Sequence, residues 1–267
     1  MPPHPEPDTI ALARRAQART ALACLDLTSL NDGDTEADVA QLCLRAQSPH
    51  GPVAAVCVWP RLAAFARAQL PAHIAVAAVA NFPAGGADVE RALRDTETVV
   101  RAGAQELDLV LPFARLMAGD HAAVTQLLRA VRNACPGLAM KVILETGVLV
   151  DSALIAQASR LSLENGADFL KTSTGKTAVS ATPQAARVML EAIASTPRAA
   201  ARVGFKASGG IRSVADAAIY MDLCTELLGP QALKPARFRI GASSLLNDIE
   251  TVLGGGDTKT YVAAGAY

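Results

Sequence analysis

The chain has 267 residues and a mass of 27.6 kDa, with 51% hydrophobic and 19% charged residues, enough apolar sequence to bury a large core. Lysine plus arginine and aspartate plus glutamate each number 25, and a net charge of zero excludes a general pull toward nucleic acid or anionic membrane. Five scattered cysteines (Cys24, Cys43, Cys57, Cys135, Cys224) without a CxxC pair argue against a disulfide framework and a zinc knuckle, and no apolar run approaches the roughly 20 residues of a membrane helix.

Residues 1–7 are proline-rich and polar with no signal region, so a disordered N-terminus, a cytoplasmic location and reduced thiols are expected. A helix is expected from about Asp8 to Ala18, its arginines forming a solvated face, since no aromatics interleave them as in a nucleic-acid patch. Short β-rich runs then alternate with longer segments of helical period. Strands are predicted near 22–28, 53–59, 74–80, 105–111, 139–145, 168–173, 202–207 and 237–242. Helix starts are marked by Asp34, by Asp151, by Thr182 followed by Pro183, and by Ser213. Eight strands, each followed by a helix candidate, predict one (β/α)8 TIM-barrel domain over 1–267, with an extra N-terminal helix and a mobile glycine-rich tail at 254–267.

Alternation along each strand sorts its residues between two faces. In 105-QELDLVL-111 the leucines share one face and Glu106, Asp108 and Val110 the other; with the leucines turned outward to the helices, Asp108 points into the barrel. The same parity sends inward Asp26 and Thr28, Cys57, Lys141, Lys171 and Lys206. Ionisable groups near the C-terminal ends of strands occupy the face where barrel active sites assemble. A lysine of ordinary pKa, roughly 10.4, cannot attack a carbonyl, but burial and a neighbouring cation both disfavour its charged form. Lys171 with Lys206 beside it, balanced by Asp26, Asp108 and Lys141, therefore suits a Schiff-base amine. Lys171 alone also fits a strand-end lysine reaching solvent.

Two later segments suit an anion. Both 206-KASGGIRSVADA-217 and 240-IGASSLLNDI-249 read strand, small-residue turn, helix, with Gly209 and Gly210 in one turn and Gly241, Ser243 and Ser244 in the other. Glycine lets backbone N–H groups approach a phosphate, and a helix N-terminus carries partial positive charge. Each turn alone could also be a simple strand-to-helix connection. The four histidines, His4, His50, His73 and His121, lack HxH or HExxH spacing, so no metal site is expected. Cys57 reads as a small pocket-facing hydrophobe and Trp59 as a packing residue.

The segments 24-CLDLTSL-30, 56-VCVWP-60, 81-NFPAGG-86, 108-DLVLP-112, 141-KVILETG-147, 166-GADFLKTSTGK-176, 204-GFKASGGIR-212, 239-RIGASSLL-246 and the terminal Tyr267 together resemble the deoxyribose-phosphate aldolases, class I (Schiff-base) aldolases on a TIM barrel. The resemblance runs from about residue 22 to the last, and GADFLKTSTGK with GFKASGGIR is its most specific part. It implies reversible cleavage of 2-deoxy-D-ribose 5-phosphate to D-glyceraldehyde 3-phosphate and acetaldehyde, in deoxyribonucleoside catabolism. Lys171 would be the Schiff-base lysine, Lys206 the amine that depresses its pKa, Asp108 the proton relay, and Asp26 and Lys141 members of the charge network. Tyr267 would move the proton at acetaldehyde C2. Thr28, Thr174, Gly175, Lys176, Gly209, Gly210, Gly241, Ser243 and Ser244 would bind substrate and phosphate. Because the iminium is the electron sink, neither metal nor organic cofactor is required. The implied partners are small-molecule sugar phosphates and aldehydes, with no nucleic acid or membrane, and a homodimer is possible. The alternatives are a Schiff-base barrel aldolase for another phosphorylated sugar and a non-catalytic sugar-phosphate binding protein.

Overall fold

A computed structural model describes residues 7–255; residues 1–6 and most of the tail expected at 254–267, Tyr267 included, lie outside them. Eight parallel strands close into a barrel: β1 (Leu25–Thr28), β2 (Ala55–Val58), β3 (Ala75–Ala80), β4 (Glu106–Val110), β5 (Ala139–Ile143), β6 (Phe169–Lys171), β7 (Gly204–Ser208) and β8 (Phe238–Ala242). Each pairs with its sequence neighbours, and β1 closes the circle by pairing with β8 and β2. Helices alternate with the strands, as the sequence predicts.

The reason is the two-faced strand. Leu25, Leu27, Val56, Val58, Leu107, Leu109, Val142, Leu170, Phe205 and Ile240 turn outward and share one buried cluster with helix residues such as Val99, Leu127, Met189 and Ile249. Removing this apolar surface from water, at roughly 25 cal/mol per Å², is what holds helices to sheet. The inward face is divided. Cys57, Ala77, Val79, Val110 and Ile143 join Leu30 and Phe82 in a second, smaller apolar cluster. The rest of the described interior is largely charged.

Three of the differences from the sequence reading fall before β2. The first helix runs Pro7–Ala23, so Leu22 and Ala23, assigned above to the first strand, complete its last turn. Helix Glu36–Arg45 is capped by Thr35, not Asp34: Thr35 Oγ1 accepts the Asp38 N–H and Asp38 returns a bond to the Thr35 N–H, a reciprocal capping box one residue later. Asp34 instead folds back on the preceding loop, its Oδ2 accepting from the Ser29 hydroxyl (2.7 Å) and the Asn31 N–H (3.0 Å). A two-stranded hairpin, Gln47–Ser48 with Gly51–Pro52, was not expected; its strands are too short for alternation to register. The other three starts hold: Asp151, Thr182 and Ser213 each accept N–H bonds from the first turn of the helix they precede.

Candidate active site

The inward parity of β1, β4, β5, β6 and β7 brings five predicted residues into contact. Asp108 is the hub. Its Oδ1 accepts from Lys141 Nζ (2.8 Å), and its Oδ2 accepts from both Lys171 Nζ (2.7 Å) and Lys206 Nζ (2.8 Å). Lys206 Nζ also donates to Asp26 Oδ2 (2.5 Å). Asp26, Asp108, Lys141 and Lys206 are 0% exposed and Lys171 2%, so water screens none of these contacts.

Two charged residues complete the network. Glu106 lies on the inward face, as parity indicates, and pairs with Lys141 (2.5 Å). Arg239 on β8 was missed. It follows Phe238 and precedes Ile240, both outward, so the same alternation would have turned it inward. Its guanidinium donates to Asp26 Oδ1 and to Glu106 Oε1, both at 2.6 Å. The described interior thus holds four basic side chains (Lys141, Lys171, Lys206, Arg239) against three carboxylates (Asp26, Glu106, Asp108).

That inequality falls on Lys171. Lys206 contacts two carboxylates, Arg239 two and Lys141 three, whereas Lys171 has only Asp108, shared with two other cations. Burial pushes the Lys171 amine below the ordinary lysine value; Asp108 opposes this and the nearby Lys206 cation adds to it. Lys206 and Lys141, equally buried, are instead held above that value by their carboxylates, and Asp108 and Asp26 are held below the usual carboxylate range by the surrounding lysines despite burial. Lys206 therefore stays a cation and Lys171 is the amine that most readily loses its proton. The apolar wall beside it includes Cys57, whose Sγ lies 3.9 Å from Asp108 Oδ2 and whose thiol burial pushes up to about 11.

Above this column, the loops after β1, β6, β7 and β8 surround a cavity of about 350 Å³. All nine predicted substrate- and phosphate-binding residues line it: Thr28, Thr174, Gly175, Lys176, Gly209, Gly210, Gly241, Ser243 and Ser244. Gly209 has φ 89°, and a Cβ there would meet Ser180 Oγ at 2.6 Å, so glycine both permits the turn and leaves room. Gly241 is on β8, and a Cβ on it would come within 2.9 Å of Lys206 Cε. Helix Leu245–Leu253 begins at the cavity, and its N-cap residue, Ser244, makes no side-chain capping bond. The N–H groups of its first residues, with Lys176 and Arg212 on the lining, suit an anion. Arg212, in the turn after β7, is a lining residue to which the sequence reading gives no role.

Glu145 was also missed. It is buried, it follows β5, and its backbone takes the left-handed conformation at φ 57°, which non-glycine residues rarely adopt. Its carboxylate accepts from Thr174 Oγ1 (2.5 Å) and lies 3.4 Å from Thr177 Oγ1, fixing the loop that presents Gly175 and Lys176. Among the described residues no three His, Cys, Asp or Glu side chains cluster as metal ligands would, and no helix is long and apolar enough to cross a membrane.

Comparison with known proteins places the chain and its barrel among aldolases. The profile of the DeoC/LacD family aldolases matches residues 20–250. A deoxyribose-phosphate aldolase of Agrobacterium fabrum is 46% identical over 253 residues, covering 93% of this chain and 96% of its own. The apo form of a Toxoplasma gondii ME49 protein superimposes with a TM-score of 0.84 at 25% identity, covering 92% of this chain and all of its own. The tetrameric deoxyribose phosphate aldolase of Aeropyrum pernix superimposes with a TM-score of 0.69 at 26% identity, covering 92% and 98%.

Proposed function

Because the chain belongs to the DeoC/LacD family of aldolases, we propose that it works as a class I aldolase with Lys171 as its Schiff-base lysine. The reaction is the reversible cleavage of 2-deoxy-D-ribose 5-phosphate to D-glyceraldehyde 3-phosphate and acetaldehyde. The observation that carries the assignment is the sealed barrel interior in which Lys171 is the basic group with a single, shared carboxylate partner.

In the cleavage direction the neutral Lys171 Nζ adds to the C1 aldehyde of the open-chain sugar, giving a carbinolamine that loses water to an iminium. As the C3 hydroxyl gives up its proton, C3 becomes the carbonyl of glyceraldehyde 3-phosphate and the C2–C3 bond breaks, its electron pair moving to the iminium to form an enamine. Protonation at C2 and hydrolysis release acetaldehyde and the free amine. Asp108, hydrogen-bonded to Lys171 Nζ, moves protons during carbinolamine formation and dehydration. Lys206 disfavours a second cation beside it. Asp26 and Lys141 hold Asp108 and Lys206 in place. Tyr267, outside the described residues, is assigned the C2 proton on resemblance alone. The phosphate lies in the rim cavity against Gly209, Gly210, Ser243, Ser244 and the start of helix Leu245–Leu253, with Thr28, Thr174, Gly175, Lys176 and Gly241 lining the approach.

A cytoplasmic location belongs to the same proposal, supported by five buried free cysteines, as does homodimer formation, supported by self-assembly of the Aeropyrum pernix relative. The test is turnover: deoxyribose 5-phosphate should be cleaved much faster than other sugar phosphates, with acetaldehyde and glyceraldehyde 3-phosphate formed in equal amounts. Preferred cleavage of another phosphorylated sugar would move the substrate assignment, and binding without cleavage would remove the enzyme assignment.

A further inference from the structure

The column holds a cation that the proposed chemistry does not use. Arg239 lines a cavity at the opposite end of the barrel from the rim, among Ala139, Phe169 and Ala236 at the starts of their strands or just before them. It is 7% exposed. Its guanidinium spans Asp26 and Glu106, its Nε donates to the Pro235 carbonyl, and its Cζ lies 5.7 Å from the Phe169 ring centroid. It therefore does not touch a substrate bound in the rim cavity, yet it is held by four separate residues.

We propose that Arg239 is a positioning residue of the reaction: as the one basic group in the column that cannot give up a proton, it fills one of three positive places and so leaves Lys171 neutral. The inference rests on the reading of Lys171 as the imine-forming amine. The middle of the column is closed to water, Asp26, Asp108, Lys141 and Lys206 being 0% exposed, so a net buried charge there is costly. Three carboxylates accommodate three cations. Arginine is always one of them. Lys141 and Lys206 are the next best held, with three and two carboxylate contacts against one for Lys171, so the fourth proton is the one Lys171 would carry.

The charged or titratable groups on the inward strand faces are Asp26 from β1, Cys57 from β2, Glu106 and Asp108 from β4, Lys141 from β5, Lys171 from β6, Lys206 from β7 and Arg239 from β8, while β3 contributes alanines and Val79. Around Arg239 at the lower end, Asp168 and Arg202, paired with each other, line the same cavity, Arg19, His50 and His73 line a second one, and Cys24 lies close by; both single variants and the double variant leave all of these unchanged. The directions of titration agree, with Lys141, Lys206 and Arg239 raised and Lys171 alone lowered.

Charge accounting predicts opposite shifts from two substitutions and their cancellation on combination. Arg239→Met removes a positive place, so Lys171 should keep its proton to higher pH. Glu106→Gln removes a carboxylate, so Lys171 should lose its proton at lower pH. The double variant restores the wild-type difference between cations and carboxylates. The measurement is reductive trapping with acetaldehyde and cyanoborohydride from about pH 5 to pH 9, located on Lys171 by peptide mapping. We expect midpoints displaced by about one pH unit upward in Arg239→Met and about one unit downward in Glu106→Gln, the size expected of a unit charge some 10 Å away at an effective dielectric constant of about 20. The double variant should return to the wild-type midpoint. A purely structural arginine would lower the yield at every pH without moving the midpoint, and that result overturns the proposal. If Arg239→Met does not fold, the contrast between Glu106→Gln and the double variant decides, because equal midpoints in those two sink the idea. Wild-type protein labelled elsewhere than Lys171 would overturn the imine assignment and this inference with it; wild-type labelling on Lys171 with unmoved variant midpoints would overturn this inference alone.

Discussion

The barrel column and the rim cavity solve opposite problems with opposite materials. In the column every ionisable group is on a strand, almost fully buried and bonded to other ionisable groups. The cavity has Ser243, Ser244, Gly175 and Lys176 exposed on turns, and backbone N–H groups at a helix start take the place of paired charges. A reactive amine needs a dry site whose charges cannot relax. A phosphate that must enter and leave needs an open, neutral-backbone cradle. The contrast predicts that damage to the column changes chemistry, its pH dependence and stability together, whereas damage to the rim changes substrate affinity alone.

The largest expected effect is at the nucleophile. Lys171→Arg puts a permanent cation in place of the neutral amine beside Asp108 and has no nitrogen that can form an imine, so turnover should fall by about 10⁴-fold or more while circular dichroism shows the barrel retained and thermal unfolding moves down with the uncompensated fourth cation. Retained turnover would break the assignment. Lys206→Leu strikes the same column at a group with two carboxylate partners. Removing it leaves Asp26 and Asp108 under-compensated, which should cost about 3–5 kcal/mol of stability and shift imine trapping to higher pH. A large stability loss with an unshifted trapping profile would separate the two roles.

Acid should act on the column before the rim. Asp26 and Asp108 titrate below the ordinary carboxylate value because lysines surround them, so their contribution is fully present above about pH 4 and lost as pH falls below it. Unfolding free energy measured in denaturant should therefore drop steeply below about pH 4; a flat profile there would contradict the buried ion pairs. At the rim, Ser244→Asp places a negative charge at a helix N-terminus, which by itself stabilises a helix by about 0.3–1 kcal/mol. It should nevertheless raise KM for deoxyribose 5-phosphate by about 10-fold or more through like-charge repulsion, with little change on unphosphorylated deoxyribose. Equal losses on both substrates would dissolve the distinction between the regions. The smallest effect belongs to neither: Ser213→Ala removes a capping box and should cost about 1 kcal/mol in stability with kcat unchanged.

The two regions were also legible by different signals. Parity along the strands placed Asp26, Asp108, Lys141, Lys171 and Lys206 on one surface, because a period of two is rigid once the leucines fix the outward face. The same parity applied to 237-RFRIGA-242 turns Arg239 inward, since Phe238 and Ile240 face the helices. Glycine turns before helix starts pointed to the rim, but which loops meet over one cavity is a tertiary property. Glu145 was beyond reach, since its role depends on a left-handed backbone and on a loop 29 residues away in sequence. Asp34 misled because it is a good cap one residue before a better one.

The central claim is that Lys171, and no other lysine in the column, forms the covalent bond. Acetaldehyde with borohydride at neutral pH should add one ethyl group per chain, and peptide mapping should find it on Lys171 within the segment FLKTSTGK. Label on Lys206 or Lys141, each held as a cation by two or more carboxylates, would contradict the account.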